Sequence, residues 1–114
     1  MKITIRTVTE PTVSLLELKG RFDAYEEEQA KQHLDQAITE SSGRIVVNLS
    51  GVNFIDSTAL ALLVQGLKHC REQLGDLYIC HLQEPIRIIF ELTRLDKAFN
   101  ILETEEDAIA AFRQ

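Results

Sequence analysis

The 114-residue chain has no stretch approaching the ~20 continuous apolar residues that a membrane-crossing helix needs. Its first residues alternate apolar with polar instead of forming a secretory apolar block, so the expected location is the cytoplasm. Cysteine is scarce: Cys70 and Cys80 are the only two, without the two-residue spacing of redox or zinc motifs, and both read as small core residues. Cations are also in short supply. With 12 Lys and Arg against 18 Asp and Glu, the net charge of −6 opposes docking on nucleic-acid phosphates, which demands a basic surface. No Gly-x-Gly-x-x-Gly or Walker sequence exists, so nucleotide binding has no support and no cofactor is expected. A Gly-x-Ser-x-Gly elbow is missing too, and His33, His69 and His81 show no metal-ligand spacing. They also fall on expected elements away from the one serine of interest, which argues against hydrolase chemistry.

What the chain does have is 45% apolar and 26% charged residues, the composition of a globular chain that closes one core. Ile3 and Ile5 alternate with Lys2, Thr4 and Arg6 as in a half-buried strand. Thr9 to Thr12 read as a turn. A second strand over 13–19 puts Leu16 and Leu18 on one face and Val13 and Leu15 on the other, giving an antiparallel opening hairpin that Gly20 ends. Asp23 caps a first helix, with Glu26 completing a capping box and Ala30, Leu34, Ala37 and Ile38 as its apolar stripe. Arg44 to Leu49 is a nearly continuous β-branched run, as expected of a central strand covered on both faces.

A second long helix is expected from about Asp56 to Leu74, its stripe running through Leu60, Leu63, Leu67, Cys70 and Leu74. The spacing then predicts a strand over 77–82, a shorter helix opened by Glu84-Pro85, a short strand over 99–102, and a last helix capped by Thr104 with Asp107. The order β-β-α-β-α-β-α-β-α makes an α/β fold: a small mixed sheet, antiparallel in its opening hairpin and parallel afterwards, with about four helices packed on it.

The segment Asn53-Phe54-Ile55-Asp56-Ser57-Thr58-Ala59-Leu60 leads from an apolar strand exit through an acid and two hydroxyls straight into a helix. Ser57 therefore lies in a first turn whose amides lack intrahelical partners, a place that tolerates a phosphate. The same pattern also fits a plain cap by Asp56 or Ser57. Along this helix Thr58, Ala61, Gln65, His69 and Glu72 point away from the core stripe. Leu62 falls near the border of that polar face, one turn beyond Thr58.

Phe54-Ile55-Asp56-Ser57-Thr58-Ala59-Leu60 is similar to the apolar-apolar-Asp-Ser-Ser/Thr-Gly-Leu motif of STAS domains in the bacterial anti-sigma factor antagonist family. Gly20-Arg21-Phe22-Asp23 resembles that family's Gly-x-apolar-Asp corner, and the likeness covers essentially the whole chain, so 1–114 is expected to be one STAS domain. The resemblance implies phosphorylation at Ser57, supported by Asp23, Asp56 and Thr58, and a partner surface including Arg21, Phe22, Thr58, Ala61, Leu62, Gln65 and His69. It further implies a non-enzymatic partner switch. The unphosphorylated chain binds an anti-sigma factor or related regulator, a serine kinase of the histidine-kinase-like ATPase fold, which phosphorylates the serine with its own ATP and Mg²⁺ and so releases itself. A serine phosphatase resets the cycle. STAS domains also serve as docking modules in transporters and multi-domain complexes, the alternative for this chain. Ala59 departs from the motif's usual glycine and is expected to add a methyl where a partner approaches.

Overall fold

A computed structural model describes all residues, 1–114. The elements are β1 (Lys2–Val8), β2 (Val13–Phe22), a 3₁₀ turn (Ala24–Glu26), α1 (Glu27–Ser41), β3 (Arg44–Ile55), α2 (Ser57–Glu72), β4 (Asp76–Cys80), α3 (Glu84–Leu92), a second 3₁₀ turn (Leu95–Lys97), β5 (Asn100–Leu102) and α4 (Glu105–Phe112). They form the expected succession of five strands and four α-helices. The sheet order is β1-β2-β3-β4-β5, with β1 antiparallel to β2 and every other pair parallel. Because each crossover from β2 to β5 moves one strand in the same direction, a constant handedness places α1, α2 and α3 on one face. The last helix, α4, covers the other.

The alternation read from the sequence decides which residues go to which face. Leu16 and Leu18 of β2, with Ile45, Val47 and Leu49 of β3, join the large core under α1 to α3. Val13, Leu15 and Val46 point the opposite way, into a smaller core with Cys80 and Ala108 beneath α4. The central strand is thus buried on both sides, as expected from its β-branched run. Edge strand β1 is covered less: Ile3 is half-buried and Ile5 exposed. Both cysteines are buried, and burial pushes each thiol up to about 12, so neither is a reactive thiolate. No helix is long and apolar enough to cross a membrane.

Three local expectations need correction. Gly20 does not end β2; its φ of +109° and two register slips bend the strand, which goes on to pair Arg21 with Phe54 and Phe22 with Ile55. The capping box is absent, because a 3₁₀ turn intervenes before α1 and the Glu26 carboxylate instead accepts from the Met1 amino group at 3.1 Å. Leu74 lies past the end of α2 with φ 65°, 96% exposed, and contributes nothing to that helix's apolar stripe.

Candidate functional site

The bend at Gly20 has a functional result, for it brings the ends of β2 and β3 level. Each strand is followed by an aspartate. Asp56 is the N-cap of α2 with extended backbone, and its Oδ1 accepts from the Ala59 amide at 2.9 Å. Its Oδ2 accepts from the Ala24 amide at 3.0 Å, and its own amide donates to the Phe22 carbonyl at 3.3 Å. One carboxylate therefore fixes the start of α2 and ties it to the turn after β2 through charge-assisted hydrogen bonds.

Asp23 sits in that turn. Its Oδ1 accepts from the Tyr25 amide at 3.1 Å, so it caps the 3₁₀ turn and not α1 directly. Its Oδ2 lies 3.6 Å from Arg21 Nε, and the Arg21 guanidinium stacks 3.8 Å from the centroid of the Phe54 ring. Arg21, Asp23 and Phe54 thus form a fixed polar and aromatic rim beside the α2 start.

Ser57, the first residue of α2, is exposed, and Thr58 is half-buried. No side chain other than Asp56 accepts from the first turn of this helix. Its first turn also has no acidic residue, whereas α1, α3 and α4 all begin with one or more. Ala59 is buried in the large core, so its methyl faces inward and not toward an approaching partner as expected. The local geometry leaves Ser57 as a reachable hydroxyl on a helix start whose one negative group is the Asp56 cap.

From Ser57 a groove of about 570 Å³ runs between α1 and α2. The two helices each return the chain between parallel strands, so they lie side by side in the same direction. They approach closely at Gly66, where a Cβ would come within 2.6 Å of Leu34 Cδ2. Thr58, Ala61, Gln65 and His69, expected on the outer face of α2, all line this groove. The opposite wall is α1, with Glu27, Lys31 and Asp35. Lys31 Nζ donates to Asp35 Oδ2 at 2.7 Å, and that hydrogen bond and charge hold the ammonium's pKa above its ordinary value. His69 Nδ1 lies 3.9 Å from the other Asp35 oxygen. His69 is twelve residues along α2 from Ser57, roughly 18 Å at the helical rise, and cannot act as its base.

Two residues expected on the partner surface are elsewhere. Phe22 is 1% exposed, buried in the large core because the extended β2 turns its side chain under α1. Leu62 is 8% exposed and belongs to the same core. The buried stripe of α2 runs through Ala59, Leu62, Leu63, Gly66, Leu67 and Cys70, shifted toward α1 from the expected centre. Helix α1 covers that side, and Leu62 shows only an edge in the groove.

The α1 wall was not legible in the sequence, although Glu27, Lys31 and Asp35 do recur at the four-residue spacing of one helix face. Nothing in one helix says which neighbour its polar face meets. The interior glycine at 66 is the one signal for a close helix contact. Tyr25, 96% exposed between Asp23 and Glu27, was also missed.

The family described as STAS domain matches residues 4–108. The anti-sigma-B factor antagonist of Staphylococcus aureus is 29% identical, over 93% of this chain and 98% of that protein. A crystal structure of an anti-sigma factor antagonist from Mycobacterium paratuberculosis superposes with a TM-score of 0.83 and 26% identity, covering 99% of this chain and 96% of that one. The anti-sigma factor antagonist SpoIIAA, solved in unphosphorylated and phosphorylated forms, gives TM-scores of 0.77 and 0.75 at 21% and 22% identity. Each form covers 98% of this chain, by 98% of the unphosphorylated chain and 100% of the phosphorylated one, and at that identity the likeness is one of fold.

Proposed function

The chain belongs to the STAS domain family, and from that membership we propose that it is an anti-sigma factor antagonist controlled by phosphorylation of Ser57. The unphosphorylated domain binds a regulator with the serine-kinase fold and so frees what that regulator was holding. The regulator transfers a phosphoryl group from its own ATP to the Ser57 hydroxyl, and the complex parts. A serine phosphatase restores the binding form. The domain itself supplies a surface and an acceptor hydroxyl, with no catalytic group of its own.

The observation that carries the reading is the start of α2: an exposed serine, after a cap whose two oxygens are both engaged, on the one α-helix whose first turn has no acid. A phosphate adds a charge of about −1.5 to −2 at pH 7, which a helix start tolerates in the free domain. In a desolvated interface the same charge is costly, so modification and binding compete without any refolding. The likeness to relatives named anti-sigma factor antagonists supports the same reading. The rim of Arg21, Asp23 and Phe54, the exposed Tyr25 beside it and the groove residues Thr58, Ala61, Gln65 and His69 form the proposed partner surface.

Recovering the protein from its own cells and mapping phosphate by mass spectrometry tests the assignment. Phosphate is expected on the peptide containing Ser57 and absent from Ser57→Ala. Phosphate that persists in Ser57→Ala and maps to Thr58 overturns it.

A further inference from the structure

The groove between α1 and α2 holds an ion network that the switch as described leaves unused. Lys31 and His69 are the only basic side chains lining it, and both are directed at one carboxylate, Asp35. Lys31 takes Oδ2 at 2.7 Å and His69 stands 3.9 Å from Oδ1, beyond a good hydrogen bond. Both ends of the Lys31–Asp35 pair are exposed, so solvent and side-chain entropy leave it weak and easily exchanged. Ser57 opens on the same groove, and because α1 and α2 run in the same direction with Leu34 opposite Gly66, Lys31 stands nearly two turns along from the level of Ser57, roughly 9 Å at the helical rise. Ala61 lies between them and presents only a methyl group. The other cation near the site, Arg21, is stacked on Phe54 and faces Asp23.

The geometry points to Lys31 as the group that receives a phosphate carried on Ser57, leaving Asp35 to His69. The inference rests on Ser57 as the phosphoacceptor. A phosphate dianion is a stronger acceptor than a carboxylate already shared with solvent. When Lys31 swings toward Ser57, Asp35 loses its partner and His69 is the remaining donor beside it. Phosphorylation then changes the charge pattern along the groove as far as His69, well beyond the serine itself. A partner seated along α2 would meet an altered surface at both ends of its contact. Lys31 is a positioning residue in this scheme and takes no part in phosphoryl transfer.

The test uses full-length protein with phosphoserine installed at position 57 by an expanded genetic code, so that neither kinase nor partner is needed. The second ionisation of the phosphate is followed by ³¹P NMR at low salt in otherwise native protein, in Lys31→Gln and in Lys68→Gln. Lys68 is an exposed lysine of α2 outside the lining of this groove and controls for net charge. The phosphate midpoint, ordinarily near pH 6, is expected to rise by about half a pH unit or more in Lys31→Gln and to stay within about 0.1 in Lys68→Gln. Asp35→Asn, which releases Lys31, should lower the midpoint. Equal midpoints in Lys31→Gln and Lys68→Gln overturn the inference and leave the identity of the phosphoacceptor untouched.

Discussion

The starts of α2 and α4 use the same local chemistry and reach opposite ends. Each is capped by a side-chain oxygen that accepts from the third helical amide, Asp56 from Ala59 at 2.9 Å and Thr104 from Asp107 at 3.1 Å. In α4 the first turn is then filled with Glu105, Glu106 and Asp107. Glu105 is further locked down, accepting from Asn48 Nδ2 at 2.8 Å and pairing with Arg6 of β1. Burial pushes the Glu105 carboxyl up, but the hydrogen bonds from Asn48 and Arg6 outweigh it and hold its pKa below the ordinary value. In α2 the capping acid is used outside the helix as well, and the first turn holds only hydroxyls and alanine. One start is electrostatically complete and fastens a helix to the sheet. The other is held by a single carboxylate, Asp56, and carries an exposed hydroxyl where α4 carries acids.

Substitutions at the two helix starts separate these roles. Asp56→Ala removes the cap and the tether to Ala24 together, and should lower unfolding free energy by about 1.5 to 3 kcal/mol in urea titration. Glu105→Gln keeps the shape but turns an NH2 toward one of the two donors, so it loses one hydrogen bond and the charge on the other, for about 1 to 2 kcal/mol at pH 7. Because the folded pKa of Glu105 is lowered, its contribution is complete above the ordinary glutamate pKa of about 4.3 and is lost as pH falls through the folded value. The wild-type and Glu105→Gln stability curves should therefore run parallel above about pH 5.5 and converge below about pH 4. Thr104→Ala loses a cap alone and should cost about 1 kcal/mol. Ser57→Asp places a charge in the open turn and should change stability by less than about 1 kcal/mol, in the stabilising direction. A Ser57→Asp variant that unfolds early would show that the α2 start has no room for the charge.

The fold was largely legible because its signals are local. The alternation of β2, the β-branched run of β3 and the caps at Asp56 and Thr104 each act within a few residues and survived into the structure. Leu74 was missed because α2 ends two residues before it, whereas the other misses depend on a neighbour that the sequence cannot name. Gly20 reads as a strand end, but β3 offers hydrogen bonds that carry β2 past it to Phe22. Leu62 reads as a border residue of one helix, but α1 lies on that border and buries it. Phe22, taken from its motif position as a partner contact, is core for the same reason. At the site, Ser57 and Asp56 were visible through the strand-acid-hydroxyl-helix pattern. The second role of Asp56 toward Ala24 and the α1 wall of the groove come from packing between segments more than twenty residues apart in sequence.

The central claim is that one phosphate at Ser57 separates this domain from its partner without disturbing the fold. It is tested most directly by titrating the kinase-fold protein captured by the unphosphorylated domain with two forms of that domain, serine or phosphoserine at 57, in a calorimeter without ATP. Affinity is expected to fall by about a hundredfold or more, equivalent to roughly 2.7 kcal/mol, while the urea midpoints of the two forms agree. Equal affinities with the phosphate in place would contradict the account.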